Sequence, residues 1–270
     1  MPFLARNPAP PLSQFVEMIW YFECDDLPGH KVEQLMPTGT LEFVINLDDD
    51  RFDTPAGPGF QERVKGSGTL AVGVYTKPAY IETPNQRILG VHFKPGGALP
   101  FLGLPASELK DLDVALPDLW GSDAAQLRDR LSATRDVETL FDIMQSMLLA
   151  RFRVAPVVHP AIVFALDEFR LRECSVAAIA DRIGLSQRRF SQIFSDTVGL
   201  TPKLYCRIQR FQRALAAVHP LADVDWTDVA LGCGYFDQSH FNHDFRGFSG
   251  FSPGEYLARK SVHLNHVPIA

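Results

Sequence analysis

The chain has 270 residues, enough for two domains that each bury a core. With 46% hydrophobic and 21% charged residues its balance is that of an ordinary globular protein, and no apolar stretch is long enough for a membrane-spanning helix. The net charge of −6 is uneven: residues 1–160 hold 14 Lys+Arg against 21 Asp+Glu (−7), and residues 161–270 hold 12 against 11 (+1). The acidic excess therefore lies in the N-terminal part, and the near-neutral C-terminal part permits contact with phosphates without demanding it. Cys24, Cys174, Cys206 and Cys233 are scattered with no C-x-x-C pair. That spacing fits neither a disulfide framework nor a zinc knuckle, and suggests reduced thiols in a cytoplasmic protein. The start, Met1 to Pro11, has no apolar run after a basic patch and does not read as a signal peptide.

Up to about Lys94 the chain shows short β-prone runs separated by Gly, Pro and Asp. Leu41 to Leu47 is one strand candidate, closed by Asp48-Asp49-Asp50; Thr69 to Thr76 is a second, and Ile88 to Phe93 a third, stopped by Lys94-Pro95-Gly96-Gly97. Short strands at this spacing predict a small barrel or sandwich. After Pro105 the period becomes helical, over Ser122 to Leu131 and Val137 to Phe152. The second of these carries Leu140, Phe141, Met144, Met147 and Leu148, a stripe that either forms a dimer interface or packs on the chain's own barrel. Ala155 to Pro160 reads as an interdomain joint because prolines interrupt helix there. The expected division is a β-rich sensing or oligomerisation domain over 1–155 and a second domain over 156–270. The expected class is α+β, with trailing helices on the first domain and seven helices in the second, near 161–172, 176–183, 187–197, 202–218, 226–232, 237–247 and 253–260.

The second domain holds one pattern twice. Each copy has a small residue on a short helix (Ala180, Ala230), a turn glycine (Gly184, Gly234), an N-cap (Ser186, Asp237) and a phenylalanine pair at i, i+4 (Phe190/Phe194, Phe241/Phe245). From the cap onward the copies keep one offset, so Gly199, Pro202 and Tyr205 meet Gly250, Pro253 and Tyr256. With the phenylalanines inward, the outer face of the first copy presents Gln187, Arg188, Ser191 and Gln192, with Arg189 to one side. The second presents Gln238, Ser239, Asn242 and His243, flanked by His240 and Arg246. Arg suits guanine edges, and Gln and Asn suit adenine edges. Taken singly, such residues are as often merely solvated; two matching faces argue for DNA reading. Pro202 to Val218 would be a helix of roughly 25 Å that spaces the units, about one turn of B-DNA once their widths are added. Arg207, Arg210 and Arg213 on it are either phosphate contacts or plain surface residues.

On these residues, positions 161–260 resemble the DNA-binding domain of the AraC/XylS family. The carriers are Ala180, Ser186, Phe190 and Phe194, then Gly234-Tyr235-Phe236-Asp237-Gln238-Ser239-His240-Phe241, Phe245, Gly250-Phe251-Ser252-Pro253 and Tyr256. The resemblance implies two helix-turn-helix units entering adjacent major grooves, operator DNA as partner, and a homodimeric activator that contacts RNA polymerase. The chain departs from the family where an arginine is usual, having Gln192 and His243 instead, which predicts weaker or pH-sensitive contacts in the second unit.

Residues 10–130 resemble an N-terminal domain found on some members of that family. The resemblance rests on Trp20-Tyr21-Phe22, on Met36 to Asn46 and on Gly90 to Ala98. It implies a sensing or oligomerising role with a small-molecule effector, for which Trp20, Glu42, Tyr75, Tyr80 and His92 are the candidate pocket residues. No cofactor or catalytic residue is expected. Two alternatives compete. In one, the repeated units are a degenerate interaction module without specific DNA binding. In the other, the chain is a metal-binding β-barrel, though His30 and His92 are isolated and only His240, His243 and Cys233 cluster in sequence.

Overall fold

The computed structural model describes residues 3–23, 31–56, 58–83, 86–152, 158–171, 175–220 and 224–269. Residues 155–157 of the sequence-predicted joint at 155–160 lie outside these residues, as does His30. In chain order the N-terminal half contains β1 (Phe3–Arg6), β2 (Val16–Glu23), β3 (Lys31–Leu35), β4 (Glu42–Asn46), β5 (Arg51–Ala56), β6 (Glu62–Ser67), β7 (Thr69–Val72), β8 (Ala79–Thr83) and β9 (Arg87–Phe93). It continues with α1 (Leu99–Leu102), β10 (Asp113–Ala115), α2 (Leu116–Trp120), α3 (Ser122–Ser132) and α4 (Val137–Phe152).

Six strands form one antiparallel sheet in the order β1-β2-β9-β4-β7-β10, and β5 pairs with β6 as a separate hairpin. Alternation along the central strands decides which face is core. Phe43 and Ile45 of β4 and Leu89, Val91 and Phe93 of β9 are fully buried on one face. The helices α1 to α4 cover that face. Phe43 meets Trp120 edge-on at 5.1 Å, Phe93 lies 5.4 Å from Phe101, and the Trp120 indole donates to the Phe101 carbonyl at 2.8 Å. Leu140, Phe141, Met144 and Leu148 of α4 are buried in this layer, so the chain itself consumes the helix's apolar stripe.

One sequence-predicted strand end moves. The run Thr69 to Thr76 is strand only to Val72. A Cβ on Gly73 would fall 1.7 Å from the Leu109 carbonyl, so only glycine lets the chain pass this close, its amide donating to the Leu112 carbonyl. Asp48-Asp49-Asp50 forms the bend between β4 and β5, with the Asn46 side chain accepting from the amides of Asp48 and Asp49.

The C-terminal half consists of α5 (Pro160–Leu171), α6 (Val176–Arg182), α7 (Gln187–Val198), α8 (Pro202–Val218), α9 (Trp226–Gly232), α10 (Gln238–Ser249) and α11 (Pro253–Arg259), seven helices among the described residues. It then ends in a strand that sequence periodicity did not suggest, β11 (His266–Pro268). This strand crosses to the other half and pairs antiparallel with β3, giving a three-stranded sheet β11-β3-β8. Val267 is buried in it, and His266 pairs with Glu33 at 2.8 Å. Polar ties flank the strand: Gln209 donates to the Thr38 carbonyl at 2.9 Å, and Gln212 to that of Pro37 at 2.7 Å. The buried Gln34 side chain donates to the Ser249 carbonyl. Apolar packing is continuous across the two halves.

Candidate nucleic-acid interface

Each repeated unit is built by the same local chemistry. In the first, the Ser175 and Ser186 side chains cap α6 and α7, accepting from Ala178 N at 3.1 Å and Arg189 N at 3.3 Å. In the second, Asp225 and Asp237 cap α9 and α10, accepting from Thr227 N at 2.9 Å and His240 N at 2.7 Å. Such caps satisfy amides that the helix itself leaves free. The turns pass through Gly184 and Gly234 at φ of 70° and 81°, a region that disfavours any residue with a Cβ. Ala180 and Ala230 are fully buried where helices of each unit meet.

The phenylalanine pairs point inward in both units. Phe190, Phe194, Phe241 and Phe245 have no exposed surface. Phe194 lies 5.6 Å from Tyr205, and Phe245 lies 5.6 Å from Tyr256, so the repeat extends to its third helix. Thr201 caps α8, and Ser252 with Glu255 forms a reciprocal capping box on α11. Hydrogen bonding from Ser252 to the Glu255 carboxyl, by the backbone amide first and then the side chain, holds it below its usual range.

The inward stripe fixes what faces out. Gln187, Arg188, Arg189 and Gln192 are exposed on α7, and Ser191 is half-buried. Gln192 is partly engaged, donating to Asp196 at 2.9 Å, while Asp196 also accepts from Ser107 of the N-terminal half at 3.3 Å. On α10, Gln238, Ser239, Asn242, His243 and Arg246 are exposed. His240 is only half-buried and leans inward, its ring edge-on to Tyr235 at 5.3 Å and its Nε2 3.8 Å from Asp244. The predicted reading residues thus fall on two exposed helix faces, with Ser191 and His240 at their margins.

Asp244 of α10 is turned inward: it is 1% exposed and paired with Arg207 of α8, Nη2 to Oδ1 at 2.6 Å. Arg207 is thus engaged within the fold while 38% of its side chain stays exposed. The hydrogen bond to Asp244 outweighs the opposing effect of burial and raises its pKa, and its guanidinium also lies 5.3 Å over the Phe248 ring. Arg210 is likewise turned to the protein, over Tyr235 at 5.1 Å. This Arg207–Asp244 tie fastens the second recognition helix to the long connecting helix. No periodicity in the sequence links positions 37 apart, so it could be found only in three dimensions.

The candidate effector residues separate into two groups. Trp20, Glu42 and His92 share the sheet face opposite the helices, by the register Trp20↔Gly90, Glu42↔His92 and Val44↔Gly90. Glu42 and His92 are hydrogen-bonded, and Thr40 lies 3.4 Å from His92 Nε2. Burial works against the His92 imidazolium, but the Glu42 hydrogen bond and charge outweigh it and raise the pKa above its ordinary value. Tyr80 instead lies tilted against Phe60 at 4.7 Å, and the Tyr75 hydroxyl, its pKa pushed up by burial, turns to Asp113. Cys233, His240 and His243 are not gathered: among the described residues no group of three His, Cys, Asp or Glu side chains is placed to hold a metal. Burial pushes the Cys233 thiol up, as expected of an inert thiol. Among the described residues no helix is long and apolar enough to cross a membrane.

Comparison with known proteins agrees with this geometry. A helix-turn-helix domain family matches residues 179–259, and a domain of unknown function (DUF6597) matches residues 5–115. The HTH-type transcriptional activator RhaS of Escherichia fergusonii is 26% identical over 206 residues, covering 68% of this chain and 74% of the relative. RhaS of Shigella sonnei is 27% identical over 215 residues, covering 70% and 76%. Among solved structures, apo ToxT from Vibrio cholerae matches with a TM-score of 0.43 at 10% identity, over 96% of this chain and 97% of that one. The C-terminal domain of AraT, a response regulator from Geobacillus stearothermophilus, matches with a TM-score of 0.35 at 18% identity, over 38% and 88%. Residues 179–259, with their two capped, phenylalanine-packed units, match a helix-turn-helix domain family, and the chain is a DNA-binding transcriptional regulator similar to the RhaS activators.

Proposed function

We propose that this regulator reads two adjacent major-groove segments of an operator. In this reading α7 contacts bases through Gln187, Arg188, Arg189, Ser191 and Gln192. The partner helix α10 does so through Gln238, Ser239, His240, Asn242, His243 and Arg246. The observation that carries the reading is the pair of exposed polar faces on identically packed units. The first unit supplies more of the grip, since two arginines stand on its first turn. The second offers amides, a hydroxyl and histidine, with a single arginine in its last turn.

The finer parts of the proposal rest on the family. The chain acts as a homodimeric activator in the bacterial cytoplasm, contacting RNA polymerase, and performs no catalysis. Residues 1–155 form the sensing domain and 156–270 the DNA-binding domain. The Trp20, Glu42 and His92 face is the favoured place for a small effector, with Tyr75 and Tyr80 farther along the same domain. A degenerate module remains the competing reading because residues 161–270 carry a net charge of only +1.

Selection of bound fragments from a random-sequence library, followed by gel shifts across salt, separates the two. A regulator enriches a motif and prefers it over random DNA at every salt concentration. A degenerate module enriches nothing.

A further inference from the structure

The two helix-turn-helix units differ in length at one point. In the first, the Leu185 amide donates to the Ala180 carbonyl at 3.0 Å, and the next residue, Ser186, caps α7. In the second, the Tyr235 amide makes the matching bond to Ala230 at 2.9 Å, but the cap is Asp237, two residues on. Leu185 to Tyr235 is 50 positions, whereas Ser186 to Asp237 is 51, so one residue has no counterpart. That residue is Phe236, and it is 87% exposed.

Its surroundings make the exposure unusual. Its neighbour Tyr235 is 3% exposed and packs 5.2 Å from Phe241. All the phenylalanines within α7 and α10 are buried. A residue just ahead of a helix cap commonly packs on the fourth helical residue, here Phe241. Leu185 is half-buried against the core in that manner, whereas Phe236 is not. The cap backbone differs too, with φ of −155° at Asp237 against −63° at Ser186. The extra residue carries a bare phenyl ring to the start of α10, beside Gln238 and Ser239.

The N-terminal residues of a recognition helix are the ones that meet base edges. In the major groove the apolar feature on those edges is the C5-methyl of thymine, which Phe is suited to contact. We propose that Phe236 packs against a thymine methyl in the groove segment facing α10 and thereby selects thymine at that position. The inference rests on the reading of α7 and α10 as DNA-contacting helices. It gives the arginine-poor second unit a source of discrimination that salt does not screen.

The test uses the full chain and a fragment selected from a random-sequence library. Each thymine is replaced in turn by deoxyuridine, which removes the methyl and nothing else. Wild type loses about fourfold in affinity at one thymine on the α10 side, the value of one buried methyl group. Phe236→Ala binds the parent fragment with about the same loss, ignores that replacement, and melts at the wild-type temperature because the side chain is exposed. If Phe236→Ala keeps the wild-type deoxyuridine profile at every position, the inference is wrong and the ring serves the DNA backbone or a protein partner. If no fragment is enriched at all, both this inference and the DNA reading beneath it fail.

Discussion

Replacing Arg207 by Met strands the Asp244 carboxylate. That carboxylate is 1% exposed, and its ion-pair partners in reach are Arg207 at 2.6 Å and, more distantly, His240 at 3.8 Å. Removing one member of a fully enclosed pair costs about 3–5 kcal/mol, because the other charge is left desolvated. Here Arg207 keeps 38% of its side-chain surface in water, so solvent already screens part of the interaction. The expected loss is about 2–4 kcal/mol for Arg207→Met. Asp244→Leu should cost less, since the guanidinium left behind can hydrate. The double variant Arg207→Met with Asp244→Leu should recover much of the loss, because it leaves no buried charge. In a chain of this size each kcal/mol moves the melting temperature by about 2–4 °C. Calorimetry or urea unfolding of the four proteins reads the cycle, and operator affinity reports whether α10 has shifted. A melting temperature within about 1 °C of wild type for Arg207→Met, or strictly additive losses in the double variant, would refute the idea that this pair fastens α10 to α8.

Other consequences are open to direct measurement. Phe194→Ala and Phe245→Ala each empty a fully buried ring site and should each cost about 3–5 kcal/mol, with similar values because the two units are packed alike. A large inequality in denaturant unfolding would show that the units are not equivalent in stability. The Glu42–His92 pair gives a pH signature. Its raised histidine pKa adds stability that is full below the unfolded value of about 6.5 and is lost as pH rises through the folded value. The melting gap between wild type and Glu42→Gln should therefore be widest near pH 5.5 and narrow by pH 9, and an equal gap at both would contradict the assignment. Val267→Asp places a charge at a fully buried site in β11 and should detach that strand from β3. Hydrogen exchange should then quicken at the Met36 amide, which donates to Asn265, and unchanged protection there would mean that the strand does not hold the two halves together.

Legibility from sequence followed the strength of local punctuation. The seven C-terminal helices were read to within about two residues, because Ser186, Thr201, Asp237 and Ser252 cap them and Gly184, Gly199, Gly234 and Gly250 end turns or helices. The buried faces were equally plain from the i, i+4 phenylalanines. The N-terminal half was harder. Strand β2, Val16–Glu23, is apolar on both faces and shows no clean alternation, and β5 carries Pro55 and polar neighbours that hide a hairpin. Thr69 to Thr76 continued as β-prone chemistry past the point where Gly73 passes close against the Leu109 backbone and the ladder ends. The strand β11 and the Arg207–Asp244 pair depend on partners that lie far away in sequence, as does most of what joins the two halves. Of the site, the outward residues were legible, while the burial of Asp244 against Arg207 had no local signal. Phe236 was visible all along as the one-residue slip between the copies, but only its exposure shows why the slip matters.

The central claim is that the exposed faces of α7 and α10 read an operator, and Arg188→Ala tests it most directly. Arg188 is exposed and the structure gives it no ion pair within the described chain, so its loss should leave stability unchanged. Fluorescence anisotropy on a selected fragment and on random DNA, at matched salt, should show specific affinity falling by about 1–3 kcal/mol. Binding to random DNA should weaken far less. Equal affinity of wild type and Arg188→Ala for the selected fragment, or loss on both DNAs alike, would contradict the account of α7 as a base-reading helix.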